Sequence, residues 1–103
     1  QEAIALYEDA LGDFEGKPLM MHGILSGLGY SHAALNEDTH AIKYFEMIVD
    51  SPDQILKDEA LFHLGALYQK NGNYTKSQEA FKKIVSDHPE SLYVELAKEK
   101  TST

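Results

Sequence analysis

The sequence predicts an all-α fold: a right-handed stack of antiparallel helix pairs, about six helices in all. Three observations carry that expectation. Apolar residues recur at helical spacing along nearly the whole chain, and no run of alternating β-branched residues bounded by turns suggests a strand. The three prolines, Pro18, Pro52 and Pro89, lie 34 and 37 residues apart. Side-chain types also align with one another at a period of 36 to 38 residues, the mark of a repeat built from one supersecondary unit.

The elements follow in order. Residues 2 to 14 place Ala3, Leu6, Tyr7, Ala10 and Phe14 on one helical face. Residues 19 to 35 form a second helix rich in small side chains, opened by Pro18. Residues 39 to 50 align Ala41, Ile42, Phe45, Ile48 and Val49. Residues 54 to 70 align Leu61, Leu64, Leu67 and Tyr68, and residues 74 to 86 align Tyr74, Ser77, Phe81, Ile84 and Val85. A last helix at 90 to 100 carries Leu92, Val94, Leu96 and Ala97. Asn71-Gly72-Asn73 is a turn in which Gly72 suits a left-handed helix end and Asn73 the next N-cap. Asn36-Glu37-Asp38-Thr39 takes the same part earlier. Ser51-Pro52-Asp53 and His88-Pro89 stop one helix and can start the next, because proline fits a first turn and not an interior.

The columns are specific. Tyr7, Phe45 and Phe81 align; so do Ala3, Ala41 and Ser77, and Ala10, Ile48 and Ile84. Leu28-Gly29 precedes Ala41 by the interval at which Leu64-Gly65 precedes Ser77. With Leu61, Tyr68, Gly72, Tyr74 and Pro89 added, residues 58 to 91 resemble the tetratricopeptide repeat, a helix-turn-helix of about 34 residues. Residues 22 to 52 resemble it more loosely, through Leu25, Leu28, Gly29, Ala41, Phe45 and Pro52. There His32 stands for the repeat's tyrosine, and Asn36 and Asp38 stand for the turn glycine and the aromatic after it. Residues 1 to 18 look like the second helix of an incomplete repeat, and residues 90 to 100 like a polar cap. The whole reads as one domain, a piece of a longer chain that Gln1 enters in mid-pattern.

Helix packing explains the columns. A glycine opposite a small residue lets two axes approach at the short end of about 8–10 Å. Gly65 opposite Ser77, and Gly29 opposite Ala41, are expected to supply that approach. A helix-interior glycine costs about 1 kcal/mol against alanine. Burying Leu64, Tyr68 and Phe81 offsets it, at about 1.5–3 kcal/mol for each fully buried large side chain. Tyr68 and Tyr74 are expected to pack across the hairpin.

Charge and composition narrow the function. The chain has 103 residues, 43% apolar, a net charge of −8, no cysteine and nine lysines as its only basic residues besides histidine. That balance disfavours nucleic acid, which needs a basic footprint, and anionic membrane surfaces. Residues 1 to 59 hold twelve acids against three lysines, so a basic partner is one reading of that half and a solvated surface the other. The uncharged run 18 to 36 is interrupted by three glycines and two histidines, a poor membrane span.

Chemistry is hard to place on this pattern. Gly65 and Gly72 lack the spacing, the lysine and the preceding strand of a phosphate loop. Among His22, His32, His40, His63 and His88, only His63 stands one turn from a carboxylate, Glu59, and two ligands do not make a metal site. Asp9, Asp13, Glu37 and Asp38 lie where helix ends and polar faces put acids, and no nucleophile constellation is present. Asn73-Tyr74-Thr75 fits the glycosylation sequon, but its tight turn makes coincidence the better reading. The expectation is a protein without catalysis, cofactor or metal.

The resemblance implies a concave face lined by the first helix of each repeat. On this chain that face carries Gly23, Ser26, Gly27, Tyr30, Ala33 and Ala34, then Glu59, Phe62, His63, Ala66, Gln69 and Lys70. The Lys, Asn and Arg pattern with which some members clamp a C-terminal carboxylate is missing. A nearly uncharged, small-residue surface remains, with Tyr30 and Phe62 as anchors for a helix or apolar peptide. The alternative is self-association, the face filled by another copy or by the chain itself. The last forty residues, ending in His88-Pro89-Glu90-Ser91 and a cap, are similar to bacterial cell-envelope members of the family. That similarity implies an extracytoplasmic scaffold or adaptor hung from a membrane anchor outside this chain, in envelope or translocon-associated assembly.

Overall fold

A computed structural model describes residues 2–13 and 16–101. Among them are six α-helices and no strand: α1 (Glu2–Asp13), α2 (Pro18–Ala34), α3 (Asp38–Val49), α4 (Lys57–Lys70), α5 (Tyr74–Asp87) and α6 (Val94–Thr101). The protein is an all-α helical repeat. It divides into two compact units, Gln1–Lys57 and Asp58–Thr103.

In the first unit α2 packs against both α1 and α3. Its core joins Ile4 of α1 to Ile24 and Leu28 of α2, with Tyr7, Ala10 and Tyr44 around them. The first helix therefore buries Ile4, with Tyr7 and Ala10 of the expected face packed beside it, but not Ala3 or Leu6. Leu6 is 69% exposed, Ala3 is exposed, and Phe14 lies outside the described residues. Ala41, Phe45 and Ile48 of α3 are buried as the spacing predicts. In the second unit Leu61, Leu64 and Leu67 of α4 and Ser77, Phe81 and Ile84 of α5 are buried.

Glycine lets the helices meet, and an aromatic ring lies nearest each of the contact glycines. A Cβ at Gly29 would fall 2.6 Å from the Phe45 ring, and one at Gly65 2.6 Å from the Phe81 ring. A Cβ at Gly27 would likewise collide with Tyr7. Each of the three aligned aromatics thus sets the far end of its ring against a glycine of α2 or α4. The Phe45 ring is what a side chain at Gly29 would strike first. Ser77 does meet Gly65, by donating its hydroxyl to the Gly65 carbonyl at 2.8 Å.

The two hairpin turns share one geometry. Gly72 has φ +82° and Asn36 φ +60°, both left-handed. The amides of Asn36 and Glu37 donate to the carbonyls of Ala33 and His32. Those of Gly72 and Asn73 donate to Gln69 and Tyr68. This is the Schellman ending, which satisfies the last carbonyls of a helix. Asn73 then caps α5, its Oδ1 accepting from the Lys76 amide.

Elsewhere the boundaries move for local reasons. Helix α4 starts at Lys57 rather than 54, because Ser51 to Leu56 form a loop. There the Asp53 carboxylate accepts from the Ser51 hydroxyl and the Ile55 amide, and Leu56 takes φ +60°. Helix α6 starts at Val94 rather than 90, because the Tyr93 amide donates to the Ser91 hydroxyl oxygen just before it. Leu92 is 96% and Leu96 45% exposed, so Val94 and Ala97 are the buried residues of the cap, and the Gln78 side-chain amide donates to the Lys100 carbonyl at 3.0 Å. Tyr74, expected to pack across the hairpin, is 65% exposed; its place at the first position of α5 turns it outward.

Candidate functional site

The candidate surface is best built one unit at a time. On α2, Ser26 is buried and Ala33 half-buried, while Gly23, Tyr30 and Ala34 are exposed. The Tyr30 ring rests edge-on against Phe45 at 5.7 Å and still shows 46% of its surface. This face holds no charge between Lys17 and Glu37. On α4, Glu59, Phe62 and His63 are half-buried, and Ala66, Gln69 and Lys70 are exposed.

Phe62 is engaged within its own unit. Its ring stacks on Tyr93 at 4.9 Å and meets Phe81 edge-on at 5.7 Å. Ser91 donates to the Asp58 carboxylate at 2.6 Å, one turn along α4 from Phe62. The lead into α6 therefore lies over the start of α4. Burial, then Glu59 and Asp58, push the Tyr93 hydroxyl above its ordinary value of 10.0. The sequence held a faint signal for this contact. Asp58 and Phe62 are one helical turn apart, and Ser91 and Tyr93 share their alternation just after Pro89.

Polar groups inside the first unit are occupied by structural work. His22 is buried and donates Nδ1–H to the Ile55 carbonyl at 2.7 Å. A carbonyl can only accept, so the proton sits on Nδ1. The Asp53 carboxylate lies 3.4 Å from the same nitrogen. Desolvation pushes the Asp53 pKa up, but the Ile55 amide, the Ser51 hydroxyl and His22 together hold it below 3.8. His32, standing where the repeat has tyrosine, is a packed ring. It donates to Glu37 at 2.8 Å and lies near-parallel to His40 and Tyr44, at 5.0 and 5.4 Å. Its buried Nε2 has no hydrogen-bond partner among the described residues.

Chemically, the arrangement offers surfaces. Among the described residues no group of three or more His, Asp or Glu could hold a metal ion. No helix among them is long and apolar enough to cross a membrane. His63 is the histidine on the α4 face. Desolvation holds its pKa below 6.5, against the opposing charge of Glu59.

Residues 59–91 match the family model of the tetratricopeptide repeat. No curated protein and no solved structure matches the chain. The match covers α4, its left-handed turn, α5 and Pro89, the elements in which the glycine–ring contact and the Schellman turn occur together. Members of this family serve protein–protein interaction and are typically non-catalytic. The chain is thus similar to the tetratricopeptide repeat family over residues 59–91.

Proposed function

We propose that the chain is a non-catalytic adaptor in which the exposed face of α2, and separately that of α4, takes a peptide or helix from a partner protein. The observation that carries this reading is the outer face of α2. It is uncharged, contains Gly23 and Ala34, and leaves Tyr30 46% exposed. Partner anchors of this kind are aromatic side chains amid small, uncharged neighbours. On the second unit, Ala66, Gln69 and Lys70 are exposed on α4. Phe62 contributes there by backing the α4 face, since its ring is already stacked on Tyr93.

Site-specific photo-crosslinking tests it. A photoreactive side chain at Ala34 or Ala66 should give adducts with a partner protein, and one at Glu79 on the exposed side of α5 should not. Equal adducts at all three positions would contradict the reading. Adducts only between copies of the chain would favour self-association. That second reading has its own support in the exposed apolar residues Leu6, Leu92 and Leu96. We further propose, by similarity to envelope members of the family, that the protein works outside the cytoplasm. A reporter enzyme active only after export, fused after Thr103 in the protein as its cell makes it, should be active; an inactive fusion would contradict this.

A further inference from the structure

Five of the six glycines whose surroundings are described have a structural task. Gly27, Gly29 and Gly65 each lie under an aromatic ring. Gly16 and Gly72 have φ of +84° and +82°, where a side chain would be strained. Gly23 has neither task. It sits inside α2 with an ordinary helical backbone, is exposed, and a Cβ there would meet nothing within 4 Å. A glycine inside a helix works against that helix, and nothing in the first unit gains from this one.

Its neighbours suggest the beneficiary. At 100° per residue, Leu19, Gly23, Tyr30 and Ala34 fall on one side of α2. Leu19 is 63% and Tyr30 46% exposed. The two stand eleven residues apart, about 16 Å along the axis, with Gly23 between them as a floor without a side chain. That shape admits a helix at close approach. The backbone groups of α2 are committed to its own hydrogen bonds, so an extended strand would find no ladder here.

Charge selects the partner further. The first unit, residues 1 to 57, holds ten acids against three lysines, formally −7. Glu37 and Asp38 follow the C-terminal end of α2, where the helix dipole is also negative, while Lys17 precedes the positive end.

We propose that the outer face of α2 takes a partner's α-helix, running antiparallel along α2 over Leu19, Gly23 and Tyr30 and basic at the end that reaches Glu37 and Asp38. This rests on the reading of α2 as a partner surface and adds the form and charge of what binds.

The test uses the 103-residue chain and two synthetic helical peptides of about five turns, each with a leucine and alanine stripe. One carries lysines in its first turns and the other glutamates there. Fluorescence anisotropy should show the lysine peptide binding, and the glutamate peptide weaker by about tenfold or more. Gly23→Leu should weaken the lysine peptide by about tenfold, with the thermal midpoint not lowered. Gly23→Ala checks that the helix tolerates a side chain, and should raise the midpoint. Equal binding of both peptides, no binding of either, or unchanged affinity in Gly23→Leu would overturn the proposal. If crosslinks from Ala34 and Ala66 to a partner persist in Gly23→Leu, the partner surface stands and the helix over Gly23 falls. If Gly23→Leu instead dissolves a dimer seen by sedimentation, the occupant is a second copy and the proposal is overturned.

Discussion

The hairpin of residues 22 to 52 and the repeat of residues 58 to 91 reach the same two contacts with different residues. Phe45 rests on Gly29 in one, and Phe81 on Gly65 in the other. The first closes with Asn36 in the left-handed region, the second with Gly72. Their interiors differ. Among the described residues, the first unit buries two histidines, His22 and His32, and the second buries no charged or titratable side chain, only Ser77 among its polar residues. Backbone-level requirements, a ring on a glycine and a left-handed turn, are therefore kept in both. The tyrosine position between them accepts a histidine when Glu37, His40 and Tyr44 are placed to receive it.

The largest expected effect breaks the comparison where the hairpins agree. Phe45 and Phe81 are 2% and 0% exposed. Either one changed to alanine should cost about 3–5 kcal/mol in a denaturant melt. Similar losses are expected from both, and a small loss at Phe45 would separate the first hairpin from the repeat. The turns should differ more. Gly72→Ala places a Cβ at φ +82° and should cost about 1–2 kcal/mol. Asn36→Gly should be neutral or slightly stabilising, since asparagine already carries part of that cost. The smallest effect concerns the α4 face. His63 titrates below 6.5 in the folded chain because it is desolvated, so the unfolded chain takes up the proton first. Its contribution to stability is complete above about pH 6.5 and is lost as pH falls toward the folded value. Glu59→Gln removes the charge that opposes the shift and should lower the His63 pKa further, as read by an NMR titration.

The helices, the turns and the aromatic column were legible in the sequence because each follows from local spacing and residue type. The partner of each ring was not. The column aligned Tyr7 with Phe45 and Phe81, but that Tyr7 lies on Gly27 depends on how α1 crosses α2, which no local pattern encodes. For the same reason α1 buries Ile4 and exposes Leu6. The candidate surface was legible as a set of helix positions. Ser26 is nonetheless buried, and Phe62 is stacked on Tyr93, because the loop before α6 returns to α4. That contact is set by chain reversal beyond Pro89, not by any periodicity.

The central claim is that glycines under a ring hold the helix pairs together, while the uncovered glycine of α2 is kept for a partner. Denaturant melts of Gly29→Leu, Gly65→Leu and Gly23→Leu, measured side by side, test it most directly. The first two should lose at least the about 1–3 kcal/mol of an overpacked core, and Gly23→Leu should keep or raise its midpoint. Equal losses at all three positions, or a tolerant Gly65, would contradict the account.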